Sequence, residues 1–416
     1  MTTSTLFDTT AHRLSMHDSI HMTSSTLQAY RERFDRWAIA WSGGKDSTAA
    51  VTLIAWLIES GQIEAPRELR VLYADTRMEL PPLAISAQSV MADLRERGIH
   101  VEVVCAPMEK RYLPYILGRG VPPPNNNTLR WCTRQIKMEP MRAAIEALNQ
   151  PYTMPGATSP LPSGEGPGVG SGFLTITGVR IGESAARDER IVLSCSKDGA
   201  ECGQGHFFQG LNNTLAPLVH WRVCHVWEWL KHWAPQAQFG DWDTTLLADA
   251  YGGDEAEEIN ARTGCICCPL ASKDTALDAI LAMPRWAYLA PLRRLRDIYE
   301  EMRSPIHRLR QHGEKKKDGA LAANPNRMGP LTIEARKEFF SRITQIQIEI
   351  NFEAIRLGRP TIDILNPQEI RFIGQCWQQN LYPNGWTGDE PSAALPYDEI
   401  YSDGSVQPLL FYDQCL

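Results

Sequence analysis

The first hundred residues change their apolar period in an orderly way. Residues 36–41, RWAIAW, form a short, nearly continuous apolar run, the mark of a buried strand. From Ser47 to Ser60 the period lengthens. Ala50, Leu53, Ile54 and Leu57 recur at helical spacing, which predicts an amphipathic helix. RVLYADT (70–76) and HVEVVCAP (100–107) repeat the strand pattern, and PLAISAQSVMADLRERG between them reads as a helix. Strand, helix, strand, helix, strand predicts an α/β fold with a doubly wound parallel sheet.

Further on, GRGVPPPNNNTLRWC reads as a loop that leads into a helix. Residues 153–172 are rich in Gly, Pro and Ser, as expected of a flexible insert. FLTITGVR (173–180) restores a strand, HVWEWLKHW (225–233) a helix, and residues 332–357 the longest helix; there is no internal repeat. The expected organisation is a loose leader over 1–35 with room for one short helix, an α/β domain over 36–240, a cysteine segment over 241–285 and a helical, basic region over 286–416.

At 416 residues and 43% hydrophobic content the chain can bury a large core, and its net charge of −7 gives no global nucleic-acid signature. No apolar run approaches the length of a membrane span. The first residues lack a basic start followed by an apolar stretch, so the expectation is a cytoplasmic protein whose ten cysteines stay reduced.

Candidate chemistry begins at SGGKDS (42–47), between a strand end and a helix start. Backbone N–H groups and the helix dipole favour an anion there. Gly43 and Gly44 admit unusual dihedrals and close approach, Lys45 neutralises phosphate charge, and Ser42 and Ser47 donate hydroxyls or cap the helix. Asp46 is either a Mg²⁺ ligand or a partner for Lys45. The spacing excludes a Walker-type loop. Asp75 ends the second strand, where ligands of such sheets sit. Arg180 and Arg187 in GVRIGESAARDER have the forked geometry that clamps phosphates.

The cysteines cluster. Cys265, Cys267 and Cys268 fall within GCICCP, and Cys132 stands among Arg130, Arg134 and Lys137, cations expected to lower a thiol pKa. Four sulfur ligands assembled from such pieces suit a [4Fe–4S] cluster or a Zn²⁺ ion.

These motifs carry a resemblance. SGGKDS resembles the pyrophosphate-releasing loop of the ATP-pyrophosphatase superfamily, and YADTRMELP and GVRIGESAAR resemble elements of its sulfonucleotide reductase branch. WCTRQIK with GCICC is similar to the cluster-binding cysteines of those reductases, although Trp131 replaces one cysteine. The order of all of them, with ARTGCICCPLASKD and GPLTIEARKE, resembles the DndC-type sulfurtransferases of DNA phosphorothioation. The resemblance implies ATP as substrate with Mg²⁺, adenylation of a DNA backbone phosphate with release of pyrophosphate, and sulfur from a cysteine desulfurase within a phosphorothioation complex. It favours a [4Fe–4S] cluster over zinc, held by Cys132, Cys265, Cys268 and a fourth cysteine: Cys202, with Cys195 and Cys267 as alternatives. Two other functions compete: an assimilatory sulfonucleotide reductase, for which Cys415 is the sole candidate catalytic thiol, and a non-catalytic nucleotide-binding scaffold of a defence complex. Between 285 and 345, fourteen Lys and Arg stand against seven acids, a local excess that fits either nucleic-acid phosphates or a solvated face.

Overall fold

The computed structural model describes residues 14–125, 130–149, 172–181, 206–209, 212–252, 264–311, 313, 315, 319–321, 324 and 326–409. Its centre is a six-stranded sheet of β1 (Arg36–Trp41), β2 (Glu68–Asp75), β3 (His100–Cys105), β4 (Leu174–Thr177), β5 (His206–Gln209) and β6 (Asn212–Leu215). The spatial order is β3-β2-β1-β4-β6-β5. Five strands run parallel, and β5 closes the edge antiparallel to β6. Ile39 lies between Val71 and Ile176, so β1 is central.

Alternate β1 residues face opposite layers. Trp37, Ile39 and Trp41 join the large core with α2 (Lys45–Glu59) and α3 (Pro81–Glu96). Ala38 points the other way and meets Leu72, Val104 and Phe173 under Ile145 of α4 (Glu139–Asn149). The strand order reverses between β1 and β4, and a sheet of this kind opens a ligand crevice at that reversal, outside the carboxyl ends.

The leader is not loose throughout. Helix α1 (Met16–Arg31) begins at a Ser15–Asp18 capping box and buries Ser19, Ile20, Thr23, Thr26 and Leu27. Its buried face is half hydroxyl, and the hydroxyls are bonded: Thr23 Oγ1 accepts from Trp221 Nε1 at 3.0 Å. The Trp-rich helix is a short α5 (Val223–Glu228) that widens into a π-turn over Trp229–Trp233.

Beyond the cysteines come α6 (Thr275–Ala282), α7 (Arg294–Glu301), α8 (Ile333–Leu357) and α9 (Pro367–Gln378), plus an antiparallel pair, β7 (Arg308–Arg310) and β8 (Met328–Leu331). One continuous apolar cluster runs from Met16 through Ile373, so the segments expected to be separate share a core. Among the described residues no helix is long and apolar enough to cross a membrane. The 153–172 insert lies outside the described residues.

Candidate active site

β1 delivers the chain to Ser42 at the strand-order reversal. Gly43 takes φ +72°, a left-handed conformation, and a side chain there would press on the Tyr73 ring at 3.3 Å. Gly44 caps α2 with no side-chain hydrogen bond of its own, so the amides of the first turn that follow Lys45 face outward acceptors. Ser47 Oγ accepts the Ser42 N–H at 3.2 Å and donates to Gly44 O at 3.0 Å, which ties the turn to the helix.

Lys45 is only 8% exposed. Its Nζ lies 3.2 Å from Asp46 Oδ2 and 5.1 Å from the Tyr251 ring centroid. The other Asp46 oxygen accepts from Arg180 Nε. Both carboxylate oxygens are therefore held by cations, so in this arrangement Asp46 is a partner of Lys45 and of Arg180. Arg180, expected to clamp phosphate, is 3% exposed and stands behind the loop, also donating to Trp221 O at 3.4 Å. Its place is that of a support for Asp46. Arg187 lies outside the described residues.

Gly178 permits this contact. A Cβ there would sit 2.6 Å from the Asp46 carbonyl oxygen and 2.7 Å from the Ser47 nitrogen. Two further residues were not legible as site members. The Tyr251 hydroxyl accepts the Lys45 N–H at 3.0 Å from more than two hundred positions away. The Tyr73 phenol is pushed well above its ordinary range by burial, then by the charges of Glu79 and Asp75, so it remains a neutral hydroxyl beside the loop.

Asp75 stands at the carboxyl end of β2, where expected, and its Oδ1 accepts the Arg77 N–H at 2.8 Å. That contact shapes the turn in which Arg77 has φ +63°. Glu79 closes the same turn on the amides of Thr76 (3.1 Å) and Met78 (3.1 Å), and burial raises its pKa. Glu369 of α9 anchors the turn from outside through Arg77 at 3.4 Å and Arg111 at 3.3 Å.

A cleft of about 890 Å³ opens beside the loop. Small residues, Ala40, Ala74, Thr175 and Thr177, form its floor, and Lys137, Met138, Met141 and Arg142 face them. The hydroxyls of Thr175 and Thr177 are buried without a hydrogen-bond partner, and Thr175 is 3% exposed. Buried hydroxyls left unpaired in an open cleft fit a polar ligand that completes them. Size and position suit a nucleotide.

The thiols of Cys132, Cys265 and Cys268 share one neighbourhood. Burial, followed by the charges of Cys268, Glu79 and Cys132, pushes Cys265 up to about 12. Cys132 is raised, not lowered, because burial outweighs the hydrogen bonds from Thr133, and Arg134 is an exposed residue paired with Glu139 at 2.7 Å. Cys267 is turned away. At φ +48° it sends its thiol to Leu292 O at 3.0 Å, which removes it as the fourth ligand. Cys195 and Cys202 lie outside the described residues. Among the described residues no set of three or more His, Cys, Asp or Glu side chains is spaced to hold a metal ion by itself. The donor chemistry, three partly exposed thiols from two chain segments, is of the kind a soft, sulfur-preferring group takes.

No family model matches the chain, and no curated protein matches it. Among solved structures it is similar to the U34-tRNA thiolase NcsA from Methanococcus maripaludis with its [4Fe-4S] cluster. The identity is 14%, covering 69% of this chain and 79% of that one, with a TM-score of 0.27. A likeness that slight carries no argument about this chain.

Several of the described residues of the basic stretch are engaged within the fold. Arg308 donates to Gly329 O and Met328 O, Arg310 to Asn326 O, and Arg336, wholly buried, to Gly118 O and Leu381 O. At the surface Arg293 pairs with Asp278, Arg294 with Glu349 and Arg342 with Glu301. Lys316 and Lys317 lie outside the described residues.

Proposed function

We propose that the protein is an ATP-dependent sulfurtransferase of DNA backbone phosphorothioation. The observation that carries the reading is the Lys45–Asp46–Arg180 chain, which fixes a glycine turn and an uncapped helix start at the mouth of a nucleotide-sized cleft. The choice of DNA as acceptor rests on the resemblance of the GCICCPLASKD and GPLTIEARKE motifs.

In this reading a non-bridging oxygen of a DNA phosphate attacks the α-phosphorus of ATP. The new O–P bond forms as the bond to the β-phosphate oxygen breaks, and pyrophosphate leaves with the electron pair. Lys45 and the first N–H groups of α2 stabilise the charge that gathers on the phosphates. Arg180 holds Asp46 in place, and Asp46 in turn fixes the Lys45 ammonium. The Thr175 and Thr177 hydroxyls donate to the nucleotide across the cleft floor. A cysteine desulfurase partner supplies the sulfur as a persulfide; two electrons from a thiol reductant, which is oxidised to a disulfide, release it as hydrosulfide, which attacks the activated phosphorus, loses its proton to solvent and displaces AMP. Cys132, Cys265 and Cys268, with Cys202 as the expected fourth ligand, would hold a [4Fe–4S] cluster, which when bound supplies iron with affinity for sulfur.

The test uses anaerobically purified protein and measures pyrophosphate release from ATP with and without DNA. DNA-stimulated release that disappears in Lys45→Ala supports the proposal. Sulfite formation from a sulfonucleotide without pyrophosphate release overturns it in favour of a reductase. Nucleotide binding with neither product overturns it in favour of a scaffold.

A further inference from the structure

The GPLTIEARKE motif has a structural role that the mechanism above does not use: it builds a second pocket. Gly329 lies under the indole of Trp386, and a Cβ at that position would fall 2.2 Å from a ring carbon. The absence of a side chain lets the indole lie against β8. Leu331 N–H donates to Gly120 O at 2.7 Å, and Arg336 holds Gly118 O at 2.8 Å, which seats the motif on the turn leading to residues 121–125. The result is a pocket of about 430 Å³.

The lining has three kinds of group. Tyr115, Trp131 and Trp386 are aromatic, and the Tyr115 and Trp131 rings meet edge to face at 4.8 Å. Asn125, Asn324 and Asn384 contribute amides, each both donor and acceptor. Arg303 and Arg308 contribute positive charge. Arg303 is held by Pro124 O at 2.6 Å, and its buried Nε has no partner. Flat rings, amide edges and guanidinium groups together match a nucleobase with its attached phosphate.

The location adds to the match. Trp131 lines this pocket, the next residue is Cys132, and Arg134 and Lys137 line the main cleft. One short segment thus forms a wall of both spaces. A strand with its phosphate in the cleft has an adjacent base within reach of the pocket.

We propose that this pocket takes a nucleobase of the acceptor strand, unstacked from single-stranded nucleic acid or flipped from a duplex, with Trp386 as its stacking platform. The proposal rests on the reading of the protein as an enzyme acting on a nucleic-acid phosphate. The test uses the full chain and fluorescence anisotropy at low salt, with a labelled single-stranded oligodeoxynucleotide and the same backbone carrying abasic residues at its centre. Trp386→Ala is expected to weaken binding of the intact strand roughly 5- to 150-fold, to leave the abasic strand unchanged, and Trp386→Phe to restore most of the loss. Equal binding of the intact strand by wild type and Trp386→Ala overturns the proposal, as does an equal loss for the abasic strand. An oligoribonucleotide that alone shows the tryptophan dependence upholds the base pocket and refutes DNA as the acceptor. Pyrophosphate release from ATP is read on the same samples. A tryptophan-dependent base effect without release upholds the pocket while the sulfurtransferase reading fails.

Discussion

Gly178→Ala tests whether the turn after β1 is the phosphate site, by adding a single methyl group. The new Cβ would lie 2.6 Å from the Asp46 carbonyl oxygen, against about 3.4 Å for ordinary contact, so roughly 0.8 Å of separation is needed. The obstructing atoms are backbone and cannot rotate aside. β4 cannot retreat easily either, since Thr177 is registered against Ala40 of β1. The shift is therefore taken by Asp46 and Ser47, the first turn of the helix that faces the phosphates. Overpacking of this kind costs about 1–3 kcal/mol, a fall of a few degrees in melting temperature. A displacement of order 1 Å at a reacting centre costs about 10²-fold in rate. The assay pairs a thermal melt with pyrophosphate release from ATP. The expected result is a protein that still folds, with turnover down by about two orders of magnitude. A variant that melts a few degrees lower yet turns ATP over at the wild-type rate refutes the assignment of the turn. One that melts unchanged refutes the packing argument.

Three more outcomes follow from the same geometry. Arg180→Met leaves the buried Asp46 carboxylate with one cation and should cost about 3–5 kcal/mol in urea unfolding, with a smaller loss in the Arg180→Met, Asp46→Leu double variant. Cys265→Ser should abolish visible absorbance in anaerobically purified protein, whereas Cys267→Ser should keep it and only lower the melting temperature, because that thiol bonds Leu292; the reverse pattern would relocate the centre. His220 and His225 have pKa values lowered mainly by burial, and their Nε2 atoms lie 3.0 Å from Ser19 O and Leu14 O, fastening α1. As pH falls below about 6.5 the unfolded chain takes up protons first, so this stability, full at neutral pH, is lost with acidification. Protection of the amides of residues 16–31, with the intrinsic pH dependence of exchange divided out, should fall between pH 7.5 and pH 5, and His225→Gln should flatten the response.

The sheet was legible because its strands are short apolar runs separated by helical spacing. β1 is seen at its expected limits, and β2, β3 and β4 within a few residues of theirs. One short helix was expected in the leader, but its full length of 16 residues was not legible, although its buried positions recur at helical intervals. Three of them, Ser19, Thr23 and Thr26, are hydroxyl residues that hydropathy counts as polar. In the site, the loop residues and Asp75 could be found because they are neighbours in sequence. The place of Arg180 could not, since an arginine in a phosphate-like motif looks the same whether it faces the ligand or the loop behind it. Tyr251 and Glu369 act on the site across more than two hundred positions, and no local pattern announces such a partner. Cys132 misled for a related reason: its cations are evident in sequence and its burial is not.

The anchoring of the β2 turn by Glu369 has a consequence for the birth of the protein. Arg77 emerges from the ribosome 292 residues before its partner. At about 5–20 residues per second the nascent chain waits roughly 15 to 60 seconds for that carboxylate. The glycine turn and the first three strands are thus made early, but the pocket edge they border stays unlatched until α9 has been made. A truncated chain that stops before α9 leaves Arg77 and Arg111 without their shared acid, so the latch itself distinguishes chains that carry α9 from chains that do not.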